Sequence, residues 1–364
     1  MTNKRIVLAG GGTAGHVNPL LATASELLAR GYSVDVLGTK EGLESELVPA
    51  AGLPLTVIPK TPLPRKPSRA WFSLPVKLRE ANRISRDCVR DARAVVGFGG
   101  YVSAPAYRAA RSVDVPYVIH EQNARPGIAN TWGARHAAAV GLTFAGTQLE
   151  ARQGITRVVG LPLRKEIAAL VDQRLDEAGR LLARNQAATV LGLDPRMATL
   201  VITGGSLGAV HLNQVMAEAA AQLPAGVQVL HLTGRDKADD LNVPWKTVEY
   251  LSEMELALAV ADVVVCRSGA GTVAELAALG IPACFVPLPI GNGEQRLNAK
   301  NMVDAGGALI VDDKDFSADF VRERVFPLLS DPKKLLAMGR AAASTGVPNA
   351  AIKMADLVES VCGD

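Results

Sequence analysis

Cysteine is sparse in this 364-residue chain: Cys88, Cys266, Cys284 and Cys362 stand far apart, with no CxxC pair and no histidine cluster beside them. That excludes a disulfide framework or a structural zinc site and makes a reducing compartment the expectation. Aromatic residues are scarce, at 4%. No run approaches the ~18 uninterrupted apolar residues of a membrane-spanning helix. The opening MTNKRIVLAGGG runs straight into a short strand, too short and too early for a signal peptide. Charge of one sign is also lacking: 39 Lys and Arg against 36 Asp and Glu leave +3, which excludes nucleic acid as a bulk-charge partner.

What is present suits a buried α/β core, with 48% hydrophobic residues rich in Ala, Val and Leu. Short apolar runs read as strands: RIVLAG, SVDVLG, LTVIP, AVVGFG and PYVIH, then TLVITG, VQVLHLTG, TVEYL, DVVVCR and PACFVP. Helix-period stretches lie between several of them, which implies parallel sheets with helices on both faces. The alternation restarts near residue 196, and IVLAGGGTAGH is echoed by LVITGGSLGAVH. Two Rossmann-like domains in tandem are expected, at 1–163 and 164–345, with a helix at about 346–364 returning to the first. Leu161–Arg164 begins the crossing, and a polar helix spans about Lys165 to Gln186.

The turn Gly10-x-Gly12-x-x-Gly15 follows a strand and opens a helix, so backbone N–H groups and the helix dipole favour an anion there. A dinucleotide reading also needs an acidic residue closing the second strand, but that strand ends Val36-Leu37-Gly38-Thr39-Lys40. His16 closes the glycine run. Near a helix start its neutral form is favoured, which suits a general base. A second glycine turn, Gly97-Phe98-Gly99-Gly100-Tyr101, and the polar strand end His120-Glu121-Gln122-Asn123 fall at the same sheet edge. In the second half, RSGAGTVAEL runs from strand to helix and suits a diphosphate, with Glu275 placed for ribose hydroxyls. Asp313-Lys314-Asp315 spells a DxD triplet but reads as a solvated charged turn away from the glycine loops.

In order, GGGTAGHVNPLLA, GFGGYVSAPA, HEQN, GGSLGA, RSGAGTVAEL and EQRLNA resemble the motifs of the bacterial peptidoglycan N-acetylglucosaminyltransferase family over nearly the whole chain. The resemblance implies an α/β GT-B fold with its active site between two Rossmann-like domains. It implies inverting transfer of N-acetylglucosamine from UDP-N-acetylglucosamine to undecaprenyl-diphospho-muramoyl-pentapeptide (lipid I), giving lipid II, with neither metal nor cofactor. Carried over by motif, Thr13, Ala14, Gly15, Asn123, Arg164, Ser206, Leu251, Ala270, Gly271, Thr272, Val273, Ala274, Glu275 and Gln295 serve the donor. Gly12, Gly99, Gly100, Tyr101 and Glu121 serve the acceptor. His16 is the candidate base, with Glu121 as the alternative. Ala14 stands where the family commonly has Gly, so its φ must be negative. Another acceptor, or a non-catalytic UDP-sugar-binding regulator, remains open at this point.

The segment KTPLPRKPSRAWFSLPVKLR carries six basic residues and no acidic one. Trp71, Phe72, Leu74, Lys77 and Arg79 are its expected contacts with an anionic membrane surface. This implies peripheral binding at the cytoplasmic face of the cell membrane. Protein partners would be sought among cell-wall and division proteins.

Overall fold

A computed structural model describes residues 4–61, 70–205, 209–235, 237, 241–290 and 292–363, with backbone only at 70–73. The chain divides into two compact units, Met1–Arg164 with Asn349–Asp364, and Lys165–Pro348.

The first unit runs β1 (Arg5–Ala9), α1 (Ala14–Ala29), β2 (Ser33–Gly38), α2 (Glu44–Ala50), β3 (Leu55–Val57), α3 (Ala70–Val89), β4 (Ala94–Gly97), α4 (Gly100–Ser112), β5 (Tyr117–Glu121), α5 (Ile128–Gly133), β6 (Ala139–Leu142) and β7 (Ile155–Val158). All seven strands pair in parallel, in the order β3-β2-β1-β4-β5-β6-β7. Strands covered on both faces need continuous apolar runs, and β4 and β6 are buried at every residue. Strands β6 and β7 were not anticipated: AVGL is short, and ITRV at the sheet edge is mostly exposed.

One face of this sheet is covered by α1 and by the helix Ala350–Glu359. Ile6, Leu8, Val96 and Val118 share a core with Met354, Leu357 and Val358. Full burial of a leucine such as Leu357 contributes about 1.5–3 kcal/mol. Arg30 fastens the contact, donating to Asp356 at 2.7 Å and to Glu359 at 2.6 Å.

The second unit opens with α6 (Lys165–Gln173) and α7 (Glu177–Leu191). The single polar helix expected here is two, because Asp176 is extended and caps α7 by accepting from the Gly179 N–H at 2.7 Å. There follow β8 (Ala198–Thr203), α8 (Val210–Ala219), β9 (Val227–Leu232), β10 (Lys246–Val248), α9 (Met254–Val260), β11 (Val263–Cys266), α10 (Ala270–Leu279), β12 (Ala283–Phe285), α11 (Glu294–Asp304) and β13 (Ala308–Ile310). The six strands order as β10-β9-β8-β11-β12-β13, all parallel. All four cysteines are free and buried. Among the described residues, no helix is long and apolar enough to cross a membrane.

Candidate functional site

Each sheet reverses its strand order beside its first strand, between β1 and β4 and again between β8 and β11. The loops leaving the carboxyl ends of such strands diverge there and leave room for a ligand.

In the first unit the turns after β1 and β4 interlock. Gly99 and Gly100 have φ of +88° and +76°, which favours glycine. They also sit too close for a side chain: a Cβ on Gly100 would lie 2.7 Å from the Gly11 carbonyl oxygen, and one on Gly99 would lie 3.1 Å from His16 Nε2. Ser103 ties the second turn down, accepting from the Gly99 N–H at 2.8 Å and donating to the Gly99 carbonyl at 2.8 Å. His16, half-buried in the first turn of α1, has Nδ1 3.1 Å from Thr13 Oγ1. Burial holds its pKa below the ordinary 6.5, against the raising effects of a Gly11 backbone hydrogen bond and of the Glu44 charge. Desolvation, more than the helix start, therefore keeps the ring neutral. Ala14 is the first residue of α1 and has negative φ, as its place in the loop requires.

The polar strand end is a scaffold more than a surface. His120 is fully buried, its Nε2 2.8 Å from the Gly160 carbonyl oxygen, and burial pushes its pKa down to about 4. Gln122 is buried and donates to the Phe98 carbonyl at 2.8 Å, which holds the second glycine turn. Glu121, expected as an acceptor contact or alternative base, is only 2% exposed. Its carboxylate accepts from the N–H groups of Asn123 and Gly127 at 3.0 Å each and from Asn130 Nδ2 at 2.9 Å. A carboxylate buried and surrounded by donors in this way shapes the 123–127 loop and has no access to an acceptor. Asn123 is half-buried beside it, and Tyr101 is exposed at the start of α4. Arg164 ends the first unit, half-buried.

In the second unit, Gly269 caps α10, and Ala270, Gly271, Thr272, Ala274 and Glu275 are all half-buried on its first turns. Val273 departs from its expected donor role: its side chain is buried in the unit and its N–H donates to the Gly269 carbonyl at 3.0 Å. Ser268 Oγ is buried without a hydrogen-bond partner among the described residues. Gln295, on the first turn of α11, accepts from the Leu288 N–H at 2.9 Å, which fixes its amide at the loop after β12. Leu251 is half-buried between β10 and α9, and Ser206 lies outside the described residues.

The Asp313–Asp315 turn is not a free solvated turn. Asp313 Oδ1 lies 2.5 Å from Arg267 Nη1, and Oδ2 lies 3.1 Å from His211 Nδ1. Arg267 leads into the α10 loop and His211 follows the loop after β8, so this carboxylate joins the two glycine-rich turns.

The expected membrane segment is partly revised. Residues 62–69 lie outside the described residues, as do the side chains of Trp71 and Phe72. Leu74 is buried, because Leu74, Ala81, Ser85 and Cys88 share the inward face of α3 at helical spacing. Val76, Lys77 and Arg79 are exposed, Val76 by 64%.

Comparison with known proteins follows this geometry. Residues 6–142 match the glycosyltransferase family 28 N-terminal domain, and residues 199–354 match the family's C-terminal domain. The UDP-N-acetylglucosamine--N-acetylmuramyl-(pentapeptide) pyrophosphoryl-undecaprenol N-acetylglucosamine transferase of Clavibacter michiganensis subsp. michiganensis is 50% identical, over 97% of this chain and 95% of that protein. The protein of the same name from Streptomyces coelicolor is 46% identical, over 94% of this chain and 93% of its own length. Among solved structures, MurG of Acinetobacter baumannii matches with a TM-score of 0.77 and 29% identity, over 98% of this chain and 99% of that one. The calicheamicin glycosyltransferase CalG4, at 17% identity and a TM-score of 0.65, shares the fold.

Proposed function

The chain belongs to glycosyltransferase family 28, and from that premise we propose that it transfers N-acetylglucosamine from UDP-N-acetylglucosamine to the muramic 4-hydroxyl of undecaprenyl-diphospho-muramoyl-pentapeptide. The second unit takes the donor. N–H groups at the start of α10 meet the diphosphate, Glu275 takes the ribose, and Gln295 takes the sugar. The first unit takes the acceptor at the interlocked turns, with Gly99, Gly100 and Tyr101 nearest its diphosphate.

The reaction is a single in-line displacement. His16 removes the proton from the acceptor hydroxyl as that oxygen attacks the anomeric carbon. The bond from that carbon to the diphosphate breaks, UDP leaves with the electron pair, and the linkage inverts from α to β. The observation that carries this reading is His16 itself: an imidazole kept neutral by burial, against Gly99. A base in this position is worth roughly 10²–10⁴-fold in turnover.

The acceptor's lipid tail and the exposed Val76, Lys77 and Arg79 support peripheral attachment at the cytoplasmic face of the membrane.

The experiment is UDP release from UDP-N-acetylglucosamine with and without a lipid I analogue, in the wild type and in His16→Ala. Acceptor-dependent release in the wild type, lost in the variant while donor binding persists, supports both the transfer and the base. Donor binding with no acceptor-dependent release in the wild type overturns the proposed acceptor. An equal loss of donor affinity in His16→Ala makes His16 a binding residue.

A further inference from the structure

Beneath the first glycine turn lies a carboxylate that the mechanism does not use. Glu44, the first residue of α2, is fully buried. Its Oε2 accepts from the Gly12 N–H at 2.8 Å, and its Oε1 accepts from the Thr39 N–H at 2.8 Å and the Thr39 hydroxyl at 2.6 Å. The space for it is made by three missing side chains. A Cβ on Gly11 would lie 2.2 Å from Oε1, one on Gly42 would lie 2.0 Å from Oε2, and one on Gly38 would lie 2.7 Å from Cγ. Gly11 lies in the turn after β1, Gly38 ends β2 and Gly42 lies in the loop that follows it, so glycine stands at three separate points around one side chain.

Its hydrogen-bond partners are neutral. Burial pushes the Glu44 carboxyl up, but the hydrogen bonds from Thr39 and Gly12 outweigh it and hold the group below the ordinary carboxylate range. Glu44 is therefore a resident anion under a loop whose outer side is built to meet an anion. It draws the Gly12 N–H inward, at a glycine whose φ of +93° few other residues would adopt. The exposed start of α1, at Ala14 and Gly15, is left facing out. The bond to Glu44 thus braces the turn from beneath, and a site organised in advance needs no rearrangement during reaction.

We propose that Glu44 is a positioning residue for transfer, fixing the glycine turn through the Gly12 amide so that His16 is held in place toward the acceptor. This rests on the transfer reading given above. The same negative charge also raises the basicity of His16 against the effect of burial. Glu44 touches neither substrate in this account, since it acts through the loop and the ring.

Glu44→Gln tests it, because the amide keeps the shape while removing the charge and one acceptor. The expected result is a fall of about 10–100-fold in kcat/KM for a lipid I analogue, the cost of a misplaced reacting group, with donor Kd changed by less than about twofold. The His16 ring, followed by NMR, should titrate at a lower pH than in the wild type. A folded variant with unchanged acceptor kinetics and unchanged His16 titration overturns the proposal, as does an equal loss of donor and acceptor binding. If Glu44→Gln does not fold, Thr39→Val removes one donor and keeps the charge. A selective loss of about twofold or more for the acceptor then supports the proposal, and no selectivity overturns it. The ring titration needs no acceptor, so it still tests Glu44 if the wild type shows no transfer and the wider reading fails.

Discussion

Arg267 and Asp313 face each other 2.5 Å apart, 46 residues distant in sequence, and both are largely buried, with side chains 12% and 16% exposed. Arg267 Nη1 also donates to the Val286 carbonyl at 3.0 Å, so the pair links the loops after β11, β12 and β13. Asp313→Asn leaves the guanidinium without its counter-charge. The loss of such a partner is worth about 1–3 kcal/mol, or roughly 5–150-fold. It should appear in the KM for UDP-N-acetylglucosamine, with the acceptor KM unmoved. Equal change in both constants would mean that the pair only stabilises the unit.

The pH profile follows from His16. A base must be neutral, and burial holds this ring's pKa below 6.5. Turnover should therefore be level through neutral pH and fall about tenfold per unit on the acid side, with the inflection below 6.5. An inflection at 7 or above would point to a different base.

Acid stability has a separate source. His120 and His231, one in each unit, are buried and pushed down to about 4. Unfolding returns each to an ordinary value near 6.5, so between these limits the unfolded chain binds more protons. Each residue's contribution is complete above about pH 6.5 and is lost as pH falls toward 4, by roughly 3 kcal/mol. Urea unfolding measured from pH 8 to 4.5 should show this loss, and a level stability across that range would contradict it.

Vesicle binding tests the α3 face. Lys77→Glu with Arg79→Glu should release the protein from anionic vesicles, at about 1 kcal/mol for each charge removed, and salt should weaken wild-type binding in the same direction. Neutral vesicles holding the protein equally well would rule out charge as the cause.

The glycine turns were legible because a strand, a glycine run and a helix start are contiguous in the sequence. The same holds for His16 and for the two-fold alternation of elements. What escaped depends on residues far apart. Glu44 meets Gly12 across 32 positions, and Asp313 meets His211 across 102, so neither pairing leaves a local pattern. The HEQN run was visible, but its polarity suggested exposure. Inside the fold, His120, Glu121 and Gln122 satisfy one another and the backbone, and so organise the site from beneath. Leu74 was misjudged because its basic and aromatic neighbours obscured the helical spacing that turns it inward.

The helix Ala350–Glu359 lies on the sheet built from the chain's first strands. During synthesis, β1 through β7 leave the ribosome long before Met354, Leu357 and Val358 exist. The second unit can fold as soon as residue 348 is out, while the apolar face over Val118 and Ala139 waits uncovered. The unit translated first is thus completed last, and a nascent chain stalled in the second half would present that bare face to chaperones.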